Sequence, residues 1–148
     1  MRVLIIDDSM VMRRIVETAL RHSGVEITEV LVARNGSEGL AVLEQTAAPL
    51  DLILCDVHMP VLDGPGFLLE KRNRNLAPQV PVVMITADTS DPHLLRSIAA
   101  GAQGYIAKPF TLEQMHAGIA PVLRSRSQHP NPAPLATEPV PATIGGAP

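Results

Sequence analysis

Five side chains with an affinity for phosphate or metal follow short apolar runs in this chain. Val3-Leu4-Ile5-Ile6 runs into Asp7-Asp8, Leu52-Ile53-Leu54-Cys55 into Asp56, Val82-Val83-Met84-Ile85 into Thr86, and Tyr105-Ile106-Ala107 into Lys108. Carboxylates brought together repel: two charges roughly 4 Å apart cost about 4 kcal/mol at an effective dielectric of about 20. Such a cluster needs a cation, or some of its acids stay protonated. A set of oxygen ligands favours magnesium or manganese over zinc. A carboxylate beside such a metal can attack phosphorus and form an aspartyl phosphate, a role that Asp56 can fill. Lys108 can neutralise phosphoryl oxygens or one of the acids. Thr86 offers a hydroxyl that both donates and accepts. Each residue has a plainer reading too: Asp7 or Asp8 as a helix cap, Asp56 as a metal ligand alone, Lys108 as a solvated loop lysine, Thr86 as an ordinary strand end.

The elements that must position these groups are legible from periodicity. Runs this short and β-branched read as buried parallel strands, and in an open α/β sheet ligands bind beyond the carboxyl ends of the strands. A strand-helix unit repeats five times. Ser9 can cap a first helix to about Arg21, with Met12, Ile15, Val16, Ala19 and Leu20 on one face and Gly24 as a stop. Residues 27–33 read as the second strand, Asn35-Gly36 as a turn, Ser37 to about Gln45 as the second helix, and 50–55 as the third strand. A loop over 56–64 leads to a helix ending near Asn73. The fourth strand is 82–85, Asp91-Pro92 opens the fourth helix, and the fifth strand is 104–107. Thr111-Leu112-Glu113-Gln114 is a capping box opening the fifth helix, which Gly118 and Pro121 are expected to kink or fray. Lys108-Pro109 is a candidate cis bond. The expected fold is α/β, a flavodoxin-like doubly wound (βα)5 with a five-stranded parallel sheet in the order 2-1-3-4-5. That order makes strands one and three neighbours and sets Asp56 beside Asp7 and Asp8.

The chain has 148 residues, suited to one domain, and at 46% hydrophobic with a single tyrosine, two phenylalanines and no tryptophan its core is aliphatic. A net charge of -3 argues against nucleic acid as a partner. The lone Cys55 allows no internal disulfide and reads as a buried, inert hydrophobe. No signal peptide or membrane-length apolar stretch is visible, so a cytoplasmic location is expected. From Ser125 onward prolines interrupt a stretch poor in core formers. The expected division is a domain over 1–124 and a disordered Pro-rich tail or linker over 125–148.

Over residues 1–124 the chain resembles the receiver domains of two-component response regulators. The matching segments are Ile6-Asp7-Asp8-Ser9, Asp56-Val57-His58-Met59-Pro60-Val61-Leu62-Asp63-Gly64, Thr86-Ala87 and Lys108-Pro109-Phe110. The stretch from Asp7 to Val16 is most similar to chemotaxis-type single-domain receivers. The resemblance implies that Asp56 takes a phosphoryl group from a histidine kinase or a histidine phosphotransfer protein. It implies magnesium held by Asp8 directly, Asp7 through water, Asp56 and the backbone carbonyl of His58. Lys108 would contact the phosphoryl group, Thr86 would swing toward it, and Tyr105 would move from an outward to an inward position. The surface of the fourth helix, fifth strand and fifth helix would then meet a target protein. By the same analogy His58 and Asp88 flank the site, approach each other across its mouth and tune the phosphoryl lifetime. The other histidines, His22, His93, His116 and His129, show no metal-ligand spacing. The expected product is a signalling module, monomeric or weakly dimeric, that catalyses only its own phosphorylation and dephosphorylation. Alternatives are a magnesium-dependent phosphatase or phosphotransferase working through an aspartyl phosphate, a phosphate-relay shuttle, and a pseudo-receiver used only as a protein-interaction scaffold. The first usually needs a second acid where His58 stands, and the last is disfavoured by the intact set of acids, hydroxyl and ammonium.

Overall fold

The apolar runs at 3–6, 52–55 and 82–85 become strands because both of their faces find a hydrophobic partner. The protein's structure, a computed structural model, describes residues 1–128. Its elements alternate strictly: β1 (Arg2–Ile6), α1 (Met10–Arg21), β2 (Glu29–Ala33), α2 (Gly36–Gln45), β3 (Leu52–Asp56), α3 (Gly64–Asn73), β4 (Val82–Thr86), α4 (Pro92–Ala99), β5 (Gly104–Ala107) and α5 (Leu112–Gln128). The strands form one parallel sheet in the order β2-β1-β3-β4-β5, so the expected doubly wound architecture is the observed one.

Successive side chains of a strand point to opposite faces, and the core divides accordingly. Leu4, Ile6, Ile53, Cys55, Val82 and Met84 pack against Leu40, Leu43, Phe67, Leu68 and Leu94 of α2, α3 and α4. Val3, Ile5, Leu52, Leu54, Val83, Ile85 and Ile106 pack against Val16, Ala19, Leu20, Met115, Ile119 and Val122 of α1 and α5. Every residue of β3 and β4 is buried, as expected of central parallel strands, whereas the edge strands β2 and β5 are only partly covered.

The helix starts follow the capping residues. The side chains of Ser9, Asn35, Asp63 and Asp91 each accept from a backbone N–H of the first turn. Thr111 and Gln114 close the capping box in both directions, at 2.8 and 3.0 Å. The Lys108-Pro109 bond is cis.

Several expectations change. β2 begins at Glu29 rather than Ile27, and β3 begins at Leu52 rather than Leu50 and includes Asp56. Ile15 does not join the core and is exposed, because α1 packs through Val16, Ala19 and Leu20. The helix α5 does not fray at Pro121 but runs on to Gln128. Met115, Ile119 and Val122 bury its inner face, and that packing outweighs one missing backbone bond. Residues 125–128 therefore belong to α5, and the rest of the expected tail, with His129, lies outside the described residues. Gly118, expected to weaken the helix, has a packing reason. A Cβ there would lie 2.4 Å from Ile106 Cγ1, so glycine lets α5 sit down on β5.

Candidate functional site

The register of the sheet assembles the acids. Ile6 pairs with Cys55 across β1 and β3, so Asp7 and Asp56 follow side by side at the carboxyl edge. On the far flank Thr86 pairs with Ala107 across β4 and β5, which brings Lys108 in behind Asp56. Ligand oxygens of Asp7, Asp8 and Asp56 lie within 4.8 Å of one another. The Lys108 ammonium stands 3.3 Å from Asp56 Oδ1 and 3.9 Å from Asp7 Oδ2.

Both inner acids are held by their own backbone. Asp7 Oδ1 accepts from the Ser9 amide at 2.9 Å, its amide donates to the Ala33 carbonyl, and Arg13 Nη1 donates to its carbonyl at 2.7 Å. Asp56 Oδ1 accepts from the Val57 amide at 2.9 Å. The loop after Asp56 folds back tightly: the Gly64 amide donates to the Val57 carbonyl at 2.9 Å. A Cβ on Gly64 would come within 2.8 Å of the Asp56 carbonyl oxygen and 2.7 Å of Met84 Cε. Glycine is thus what lets α3 start directly against the strand that carries Asp56.

The electrostatics are those of crowded, buried carboxylates. Asp7 is only 3% exposed and Asp56 only 9%. Burial pushes Asp7 up to about 6, with Asp56 and Asp8 adding to the effect against the Ser9 amide and Lys108. Burial also raises Asp56, opposed mainly by the Lys108 ammonium. Asp7 Oδ2 is a buried oxygen without a hydrogen-bond partner among the described residues. Such an atom costs free energy unless something positive fills the place. A divalent hard cation on Asp7, Asp8 and Asp56 fits this donor set. Burial drives the Cys55 thiol well above its ordinary value, so it takes no part.

The remaining expected residues are placed less simply. Thr86 is buried, but its hydroxyl is engaged in its own turn, donating to the Asp88 carbonyl at 2.9 Å and accepting from the Asp88 amide at 3.1 Å. Tyr105 is half exposed, which is the outward position. His58 does not meet Asp88. The Asp88 carboxylate turns to Ser90, whose hydroxyl and amide hold it below the usual carboxylate range. His58 Nε2 instead hydrogen-bonds Asp91 Oδ2, the cap of α4. That bond, and then the His93 amide, pulls Asp91 down to about 2. His93, which shows no metal-ligand spacing in the sequence, joins the same carboxylate through Nδ1 at 3.2 Å. Arg13 and Asp91 were not picked out as site residues from the chain. Asp91 was recognisable as the cap before Pro92, which already put a carboxylate just beyond the end of β4.

Comparison with known proteins agrees with this geometry. Residues 3–120 match the response regulator receiver domain family. The chain is 37% identical over 123 residues to a probable transcriptional regulator ycf27 of Pyropia yezoensis, covering 83% of this chain and 47% of that protein. It thus spans about half the length of the ycf27 proteins it matches. It is 32% identical over 123 residues to the chemotaxis protein CheY1 of Helicobacter pylori, covering 83% of this chain and 97% of that one. Among solved structures, the chemotaxis response regulator CheY4 of Vibrio cholerae superposes with a TM-score of 0.66 at 32% identity, covering 83% of this chain and 96% of that chain. Sheet order, acid cluster and matches converge: the chain belongs to the response regulator receiver domain family of two-component signalling.

Proposed function

We propose that Asp56 accepts a phosphoryl group from a phosphohistidine protein, a histidine kinase or a histidine phosphotransfer protein, and that the modified domain then controls a target protein. The observation that carries this reading is the pairing of Asp56 with Lys108 at 3.3 Å beside a buried oxygen of Asp7 that accepts no hydrogen bond and lies 3.9 Å from the same ammonium. An Asp56 oxygen attacks phosphorus as the nitrogen–phosphorus bond of the donor breaks, and the departing imidazole takes up a proton from solvent. Asp7, Asp8, Asp56 and the His58 carbonyl would hold magnesium or manganese. When bound, that ion supplies charge neutralisation for three carboxylates and the arriving phosphoryl oxygens. Lys108 neutralises further charge at the same oxygens.

The domain's own residues then carry the signal. Phosphorylation adds about 1.5 to 2 negative charges at the edge of the sheet. The Thr86 hydroxyl leaves the Asp88 backbone for a phosphoryl oxygen, Tyr105 turns inward, and the face formed by α4, β5 and α5 changes shape. Exposed Leu95, Ile98, Tyr105 and Leu112 give that face apolar contacts for a partner. Charge-assisted bonds of about 1.5 to 3 kcal/mol each suffice for the roughly 5.5 kcal/mol that inverts a 1:99 equilibrium.

The test is labelling with a small phosphodonor and with a phosphohistidine protein. Wild type takes up one hydroxylamine- and base-labile label that chelator abolishes, and Asp56→Asn takes up none. Label persisting in Asp56→Asn would overturn the assignment. Turnover of a generic phosphomonoester would favour the phosphatase reading instead.

A further inference from the structure

We infer that His58, Asp91 and His93 form a second metal site, selective for zinc or a similar late transition ion and separate from the acidic cluster. Ligand atoms of the three residues lie within 4.8 Å of one another. The two imidazole rings are 4.7 Å apart between centroids and tilted by 57°. His58 Nε2 meets Asp91 Oδ2, and His93 Nδ1 stands 3.2 Å from Asp91 Oδ1. Ligand atoms of a tetrahedral zinc site, each about 2.0 to 2.2 Å from the ion, sit little more than 3 Å from one another. Small side-chain rotations therefore close the site.

The backbone makes this a built arrangement. Asp91 is fixed as the α4 cap, its Oδ1 accepting from the His93 amide at 2.8 Å. That leaves Oδ2 as the ligand oxygen, facing His58. His93 lies in the first turn of α4, and His58 comes from the loop between β3 and α3. The side chains of His58, His93 and Asp91 are 59%, 37% and 15% exposed, so an ion can enter and water can complete its shell. Two imidazoles with one carboxylate and open positions suit zinc, nickel or copper, whereas magnesium takes oxygen ligands. Ligand chemistry thus sorts two ions between two neighbouring sites. Occupancy of the second ties the segment two residues beyond Asp56 to the start of α4.

The experiment is calorimetric titration of the full chain with zinc in millimolar magnesium at neutral pH, paired with cobalt substitution and absorption spectroscopy. Wild type should bind one zinc ion at this site, and His58→Gln and His93→Gln should each weaken binding by about tenfold or more. Asp56→Asn, which removes a ligand of the acidic cluster, should leave zinc affinity unchanged, as should the control His22→Gln/His116→Gln. Circular dichroism verifies that each variant is folded. Equal zinc affinity in wild type and both site variants overturns the proposal. So does a loss that follows Asp56→Asn or the control histidines, or a cobalt spectrum that His93→Gln leaves unchanged.

Discussion

Asp7→Asn should make the metal-free protein more stable at neutral pH, although it removes a residue of the site. The Asp7 carboxyl is pushed from 3.8 up to about 6, chiefly by burial. One tenfold change in protonation is worth about 1.4 kcal/mol, so ionising Asp7 in the fold costs at most about 3 kcal/mol. Partial solvation of the cluster reduces this to about 1 to 2 kcal/mol. The sign follows from proton binding. Between about pH 4 and 6 the folded state holds the Asp7 proton more tightly than the unfolded chain does, so this contribution to stability is lost as pH rises through 6. Asparagine keeps the acceptor for the Ser9 amide and carries no charge. The variant should match wild type near pH 4 and exceed it by about 1 to 2 kcal/mol above about pH 7, a rise of about 3 to 10 °C in melting temperature. Magnesium should erase or reverse the order, since saturation at about 100 times Kd stabilises wild type by about 2.7 kcal/mol. Thermal melts across pH, with and without magnesium, provide the assay. A variant less stable than wild type in chelator at pH 7, or a gain identical at pH 4 and 7, would refute the reasoning.

Three further outcomes follow from the same contacts. Lys108→Met removes the ammonium 3.3 Å from Asp56, so Asp56 should titrate higher still; labelling by a small phosphodonor should slow by about tenfold or more, with its pH profile moved upward. Gly118→Ala should destabilise by about 1 to 3 kcal/mol in urea melts despite a helix propensity gain of about 1 kcal/mol, because the new Cβ meets Ile106. Gly64→Ala should cost about 2 kcal/mol or more and weaken magnesium binding, measured by calorimetry, because its Cβ strikes backbone that carries Asp56.

The parts of this protein that one stretch of chain determines by itself were legible. Four-residue apolar runs, a serine before an amphipathic segment, and Asp91-Pro92 each announce their element without knowledge of the rest. The acid cluster was legible because strand order converts two distant strand ends into neighbours. What escaped depends on how elements lie against each other. Ile15 falls within the apolar stripe of α1, yet the helix rolls so that Val16 faces the sheet. Pro121 reads as a breaker, but a helix already anchored by Met115, Ile119 and Val122 tolerates one lost bond. His58 found Asp91 rather than Asp88 because the turn after β4 spends the Asp88 carboxylate on Ser90. A distance of two residues from a strand end says nothing about which way a side chain leaves a turn.

If Thr86 is the proposed switch, its self-contained turn also sets how quiet the unmodified domain is. Its hydroxyl makes two bonds to the Asp88 backbone, each worth about 1 kcal/mol. Together they favour the observed rotamer by roughly thirtyfold. On the proposed function, activation without a phosphoryl group would thereby be held to a few per cent, by one short peptide segment rather than by the helices beyond it.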